Sequence, residues 1–382
     1  MLIGEFCETY PPTLDGVGRV MLSYCQSLTA LGHTALYIAP NNPLYPEQVN
    51  CTTLLYDGIR VPGEPYRIGI PMLSKSYRNA TSHMKFDIVH AHSPFLGGRE
   101  ALRLSKRDGA PLIATFHSKF YDDFYKATGS KILAQMGVNY VVDFFNVCDE
   151  VWAVNGKTAD VLKEYGYKGE IVTMPNGTNL QDLSEADRLN TAKRYPLRDG
   201  VPTLIFAGQQ NKKKNIESIL LACASLKNRG FDFQFVMIGA GPDAAYLRTM
   251  AHDLGIDGYV LFTGFLSHRP TVMALYERSD LMVFPSIYDN APMVVREAAA
   301  MGTPALLIEG SCSSEGIIHG ENGYLCENKV EAITEAILAA LPTAHEVGER
   351  ARETIPIPWD KLMTQVVARY EALMARKNKG RL

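Results

Sequence analysis

Thr203-Leu-Ile-Phe-Ala-Gly208 is a short apolar run that stops at a glycine, and beyond it Ile216–Asn228 reads as a helix. An apolar run of this length without alternation suits a strand buried on both faces. The unit then recurs: strand 233–238 with helix 244–254, strand 259–262 with helix 271–278, strand Leu281–Phe284 with helix 293–301, and strand Ala305–Ile308. Five strands alternating with four helices in this order predict a doubly wound domain on a parallel sheet, with ligands bound outside the carboxyl ends of the strands.

The first half follows the same grammar less cleanly. A strand at 1–6 leads into a Pro/Gly-rich loop at 11–18 and a helix at 19–31, closed by Gly32 and followed at once by a strand at 34–39. Further strands are expected at 86–91, 111–115 and 150–154, with helices at 97–107 and 156–166. After Pro175 the chain turns polar through Asn176, Gly177 and Asn179. The expected division is therefore an N-terminal Rossmann-like domain over 1–180, a linker over 181–200, and a second Rossmann-like domain over 201–355. A terminal helix within 356–382 is expected to pack back toward the N-terminal domain.

Length and composition agree with two domains. The chain has 382 residues, 46% hydrophobic and 21% charged, too long for one comfortable core and too apolar for disorder. A net charge of -3 provides no overall attraction for nucleic acid, which is not an expected partner. Between Arg60 and Lys131, however, twelve Lys and Arg face six acids. The seven cysteines (7, 25, 51, 148, 223, 312, 326) are odd in number and hold no CxxC pair, which argues against a disulfide framework or zinc site and fits a reducing cytoplasm. No signal peptide or apolar stretch long enough to span a bilayer is read, so the sequons at Asn50, Asn79 and Asn176 are expected to stay unglycosylated.

Chemistry is concentrated in Pro285-Ser-Ile-Tyr-Asp-Asn-Ala-Pro-Met-Val-Val-Arg-Glu297. The segment leaves a strand, carries Asp289, and opens a helix with Pro292 read at its first position. The amides of Met293 and Val294 would then face an anion. Asp289 and Glu297, eight residues apart across a loop, can border one pocket and meet different parts of a ligand.

This stretch resembles the acid-x7-Glu signature of retaining glycosyltransferase family four, whose fold is GT-B: two Rossmann-like doubly wound domains facing across a cleft. Gly16-Val17-Gly18 resembles the family's glycine loop, Asp87-Ile-Val-His-Ala-His-Ser93 its central strand, Thr115-Phe-His117 its histidine strand end, and Pro175-Asn-Gly177 its interdomain entry. Phe206-Ala-Gly208 through Lys214-Asn215, Gly239-Ala-Gly-Pro242, Phe262-Thr-Gly264 and His319-Gly-Glu-Asn-Gly323 follow in the family's order. Each glycine motif is weak alone, but the ordered set covers nearly the whole chain.

The resemblance implies a catalytic set of His117, Lys214, Asp289 and Glu297. Glu297 would accept from the donor ribose, Asp289 with the amides near Met293 would hold the transferred sugar, and His117 would touch that sugar. Lys214 would neutralise the diphosphate as its charge grows. Donor contacts would also come from Gly16, Val17, Gly18, Gly208, Gln209, Phe265, Leu266, Pro292, Met293 and Val294. Gln209 departs from the family, which usually has arginine there, and Asp289 stands where glutamate is commoner.

The activity so implied is retaining transfer of a hexose from a nucleotide-diphosphate sugar, with a UDP-sugar favoured, to a lipid or saccharide acceptor. No cofactor is implied beyond that substrate, and no metal: Asp122-Asp123 has no supporting His/Cys cluster or strand-end Asp-x-Asp. Similar enzymes glycosylate diacylglycerol or cell-surface polysaccharide. The basic excess and the stretch 116–126 would then suit peripheral docking on an anionic membrane from the cytoplasmic side. Two rivals share the architecture, a sugar-nucleotide epimerase and a non-catalytic sugar-nucleotide-binding subunit.

Overall fold

The computed structural model describes residues 1–10, 16–42, 49–61, 67–180 and 182–380. The first five residues of the expected Pro/Gly-rich loop (11–15) and the first of the expected linker (181) lie outside the described residues. Two compact units divide the chain: Met1–Gly177 together with Trp359–Leu382, and Thr178–Pro358.

The first unit is built on a parallel sheet of seven strands: β1 (Leu2–Phe6), β2 (Thr34–Pro40), β3 (Thr52–Tyr56), β4 (Ile88–Ala91), β5 (Leu112–Phe116), β6 (Glu150–Ala153) and β7 (Ile171–Thr173). They lie in the order β3-β2-β1-β4-β5-β6-β7. The chain thus winds outward from β1 in one direction and, after β3, crosses to the other side. That reversal leaves a crevice at the carboxyl ends of β1 and β4. The inner strands are buried along their length because helices cover both faces.

In the second unit β8 (Thr203–Ala207), β9 (Gln234–Ile238), β10 (Val260–Gly264), β11 (Leu281–Phe284), β12 (Ala305–Ile308) and β13 (Tyr324–Cys326) form a second parallel sheet, in the order β10-β9-β8-β11-β12-β13. Its reversal falls between β8 and β11. Five of these strands match the apolar runs read from sequence. The sixth, Tyr324–Cys326, has only three residues and no periodicity to betray it.

Three local expectations change. Gly16, Val17 and Gly18 are the first residues of the helix Gly16–Ala30 rather than a loop before it. Val17 extends backward the apolar face of Val20, Met21, Tyr24 and Leu28, and the last four of these are buried. The stretch 181–200, read as a linker, contains the helix Glu185–Arg194 within the second unit. A capping box joins Ser184 and Asp187, and Arg188 grips Glu277 through Nε and Nη2 at 2.7 and 2.8 Å. That helix is polar around most of its surface, so its stability comes from the cap and the ion pair, which periodicity does not reveal. Pro292 is the N-cap of Met293–Ala300, one position before the helix, with φ -64 and ψ 122.

The terminal helix Trp359–Asn378 belongs to the first unit and packs on Gly16–Ala30. It buries Trp359, Leu362, Met363, Val366, Tyr370 and Leu373. Arg369 and Arg376 hold Glu150, and Lys377 reaches Asp149.

Candidate functional site

Both sheet reversals carry a cluster of ionisable side chains. In the second unit the cluster is made by the loops after β8 and β11. Lys212–Lys214 forms a single 3-10 turn. With three residues per turn, consecutive side chains fan out in different directions. Lys212 is exposed, Lys213 lies over the Tyr288 ring at 4.1 Å, and Lys214 Nζ donates to Asp289 Oδ1 at 2.5 Å.

Asn215 ends that turn in the left-handed region, φ 55, the one non-glycine residue so placed among the described residues. Asparagine tolerates this conformation because its short side chain bonds locally. Here Nδ2 donates to Pro285 O at 3.3 Å and Asn328 Oδ1 at 2.9 Å, while Oδ1 accepts from Ser218 at 2.7 Å. The lysine turn is thereby fastened to the loop that carries Asp289. Ser286 adds a second fastening, donating to Lys213 O at 3.4 Å.

Asp289 Oδ2 is buried without a hydrogen-bond partner. A carboxylate oxygen kept from water costs about 1–3 kcal/mol when unpaired, so this acceptor is available to a ligand donor. Four residues on, the helix Met293–Ala300 presents the amides of its first turn, among them Met293 and Val294, which have no intrahelical carbonyl to bond. Glu297, on the next turn, is buried; Arg269 meets its Oε1 at 2.6 Å and its Oε2 has no partner. Arg269 was not singled out from sequence, and its place at the start of the helix Arg269–Glu277 provides no motif that would expose it.

Glycines at this edge serve backbone packing. A Cβ on Gly239 would sit 1.9 Å from Gly208 O, and one on Gly241 would sit 2.3 Å from Gln210 O. Gly208 and Gln210 donate to Ile238 O and Ala240 O at 3.1 and 2.9 Å. Gln209 itself is exposed and accepts from Asn211 Nδ2 at 2.8 Å. Phe265 is exposed, whereas Leu266 packs against the core of the second unit.

The first unit holds its cluster on one sheet face. Glu5 on β1 is in register with His90 on β4. Side chains alternate along a strand, so His92, two residues beyond His90, keeps the same face, as do Thr115 and His117 after it on β5. The contacts bear this out. His92 Nε2 meets Glu5 Oε2 at 2.8 Å, and His92 Nδ1 meets His117 Nε2 at 2.9 Å. His90 Nδ1 meets Tyr370 OH at 2.7 Å and Glu5 Oε2 at 3.2 Å, while its Nε2 meets Thr115 Oγ1 at 2.7 Å. Tyr370 OH donates to Glu5 Oε1 at 3.2 Å.

Burial would raise the Glu5 carboxyl, but the adjacent His90 and His92 outweigh it and hold it at about 2. Burial, then His90, lowers His92 to about 4 against the opposing pull of Glu5. Burial and the neighbouring histidines push His117 well below the usual imidazole value. At neutral pH the cluster is a carboxylate next to the uncharged rings of His92 and His117.

Sequence reasoning placed His117 here and quoted His90 and His92 only as part of a strand; it missed Glu5. The available signal was an acid inside an otherwise apolar buried strand. Nor did the expectation of no metal constellation foresee that Glu5, His90 and His92 group closely enough to hold an ion. Hydrogen bonds among the three already satisfy their inward-facing atoms. Asp122 and Asp123, by contrast, stand in the first turn of the helix Tyr121–Thr128, where negative charge suits the helix dipole.

Two family models match the chain: Glycosyltransferase Family 4 over residues 14–182 and Glycosyl transferases group 1 over residues 187–354. Alpha-monoglucosyldiacylglycerol synthase of Streptococcus pneumoniae is 26% identical over 322 residues, 80% of this chain and 70% of that protein. The GDP-mannose-dependent alpha-mannosyltransferase of Corynebacterium glutamicum is 25% identical over 390 residues, 98% of this chain and 90% of that protein. Among solved structures, sucrose-phosphate synthase from Thermosynechococcus elongatus superposes with a TM-score of 0.79 at 19% identity, covering 98% of this chain and 99% of that one.

Proposed function

The chain belongs to the family 4 and group 1 glycosyltransferases, and from that premise we propose that it transfers a hexose, with retention of configuration, from a UDP-sugar to a lipid acceptor at an anionic membrane surface. The observation that carries the reading is the meeting of Lys214 and Asp289 at the reversal of the second sheet, four residues before the open helix start at Met293.

Lys214 has three N–H donors, of which Asp289 takes one, so the others can serve the diphosphate. As the bond from the sugar carbon to the diphosphate oxygen breaks, charge grows on that oxygen and a fixed cation lowers the barrier. Asp289 holds the sugar hydroxyls through its unpartnered oxygen, and Glu297 Oε2 accepts from the ribose. No carboxylate serves as nucleophile: the acceptor oxygen bonds to the sugar carbon on the face the diphosphate leaves, and its proton passes to the departing phosphate oxygen.

The lipid acceptor is supported by the first unit's surface. Ile132 is 75% exposed and Met136 is 61% exposed, and with Leu133 and Tyr140 they form one stripe along the helix Lys131–Phe145. Lys126 and Lys131 flank it, and Tyr125 continues the apolar surface onto the preceding helix. An apolar stripe bordered by lysines suits the interface of an anionic bilayer. Among the described residues no helix is long and apolar enough to cross one. The names of the two relatives agree with a lipid product in one case and with a GDP-mannose donor in the other.

Thermal unfolding with UDP-glucose, GDP-mannose and ADP-glucose tests the donor, since a ligand of the native state raises its apparent stability. Stabilisation by UDP-glucose alone is expected, and stabilisation by GDP-mannose alone refutes the uridine assignment. Flotation with phosphatidylglycerol vesicles tests the surface: binding at low salt, lost in Ile132→Ser/Met136→Ser, is expected. No flotation at low salt refutes it.

A further inference from the structure

We propose that Arg269 is a positioning residue for the donor, which by taking Glu297 Oε1 fixes that carboxylate with Oε2 presented to a ribose hydroxyl; this rests on the reading that Glu297 meets the ribose. Arg269 opens the helix Arg269–Glu277, Glu297 lies on the helix Met293–Ala300, and the two helices pack on each other. Nη2 of the guanidinium reaches Glu297 Oε1 at 2.6 Å and Met273 Sδ, one turn along its own helix, at 3.8 Å. A cation at the first position of a helix opposes the helix dipole. Burial opposes its charge as well, yet the adjacent Glu297 more than offsets burial and raises the guanidinium above its usual range. The carboxylate, not the helix it begins, accounts for an arginine at this place.

Two features separate positioning from simple bracing of one helix against the other. A guanidinium and a carboxylate can pair through two parallel hydrogen bonds, which would satisfy both oxygens. Here only Oε1 is taken, and Oε2 is buried without a partner. A brace built this way strands an acceptor at a cost in stability, which a hydroxyl donated by a ligand offsets. The second feature is repetition. Asp289 has the same construction: Lys214 takes Oδ1, and Oδ2 is buried without a partner. Each of these two acids is anchored at one oxygen by a cation from another element and offers the other. An unanchored carboxylate turns easily about its last bond, so its oxygens exchange places. One charged N–H on Oε1 restricts that turning, and less freedom is left to lose when a ligand binds. A ribose carries neighbouring hydroxyls, each an O–H donor, which suits an acceptor held in this way.

Calorimetric titration with UDP and with GDP, each beside its 2′-deoxy and 3′-deoxy forms, reads the contact. The parent protein is expected to bind the nucleotide about tenfold tighter than at least one deoxy form, the value of a hydrogen bond to a charged acceptor. Arg269→Met removes the cation and keeps an unbranched stem. The preference should then fall to about twofold or less, with the deoxy form bound as in the parent. Arg269→Lys keeps the charge, and with it the fold, but its ammonium ends short of the Nη2 position, so the preference should fall to about threefold. In Arg269→Met/Glu297→Gln the affinity should match that of Glu297→Gln alone, because two residues acting through one contact do not add.

The parent's full preference retained in Arg269→Lys overturns the proposal, whether or not Arg269→Met folds. Equal weakening of the nucleotide and its deoxy forms in Arg269→Met overturns it too, since that is the mark of bracing alone, as do losses that multiply in the double variant. No preference in the parent protein, or an unchanged affinity in Glu297→Gln, instead refutes the ribose reading on which the proposal stands.

Discussion

Replacing Lys214 by alanine should cost the chemical step far more than donor binding. The lysine and Asp289 are mostly buried, 17% and 18% exposed, so screening by solvent is weak and the cation would act at close to full effect on a bound diphosphate. Loss of a donor aimed at growing charge lowers kcat by about 100- to 1000-fold, about 3–4 kcal/mol. The same change has a structural side. Asp289 Oδ2 already lacks a partner. Without Lys214 the whole carboxylate is buried and unpaired, a penalty of about 1–3 kcal/mol that should lower Tm by several degrees. Adding Asp289→Asn removes the stranded charge, so the double variant should regain Tm without regaining kcat. Steady-state release of the nucleoside diphosphate across donor concentrations, with unfolding curves alongside, measures both. An unchanged kcat with the entire loss in donor KM would place Lys214 in ground-state binding only. Recovery of kcat in the double variant would show that it acts through Asp289.

Other perturbations address the scaffold and the donor. His92 and His117 bind protons less readily in the folded protein than in the unfolded chain, so stability is full above the ordinary imidazole value of 6.5 and falls as pH drops below it, for His92 down to about 4. Between pH 7 and pH 5 urea denaturation should show a loss of about 2 kcal/mol from His92, with His117 adding in the same direction. Glu5, depressed from 4.5 to about 2, adds its own loss only below 4.5. A flat profile from pH 7 to pH 5 contradicts the uncharged cluster. Gly239→Ala should be severely destabilising, by about 3 kcal/mol or more, because its Cβ would lie 1.9 Å from Gly208 O at a φ of +133. Gly310→Ala, with φ +77 and nothing within 4 Å, should cost only about 1 kcal/mol, and equal Tm losses for the two would defeat the packing argument. Glu297→Gln should weaken UDP binding by about tenfold in calorimetric titration, the value of a hydrogen bond to a charged acceptor; unchanged affinity would remove Glu297 from the ribose contact.

Sequence patterning alone decided the doubly wound architecture and five of the second unit's six strands. An inner strand of a parallel sheet is buried on both faces and must be apolar almost throughout, and that demand is written contiguously in segments such as Thr203–Ala207. The loop from Pro285 to Glu297 was legible for the same local reason, since a strand end, an acid and a helix start lie within one short stretch. Tertiary structure alone decided which side chains meet. Asp289 is 75 residues from Lys214, and Glu5 is 87 from His92. Tyr370 joins Glu5 across 365 residues, brought there by a helix whose periodicity names no partner. Helix starts shifted where the deciding group was a cap or a register, as at Gly16 and Pro292. Short polar or three-residue elements were missed because they owe their conformation to neighbours distant in the chain. The identity of candidate groups was therefore a local property of the chain, while their protonation and pairing depend on burial and contact, which arise only when separate strands are brought side by side.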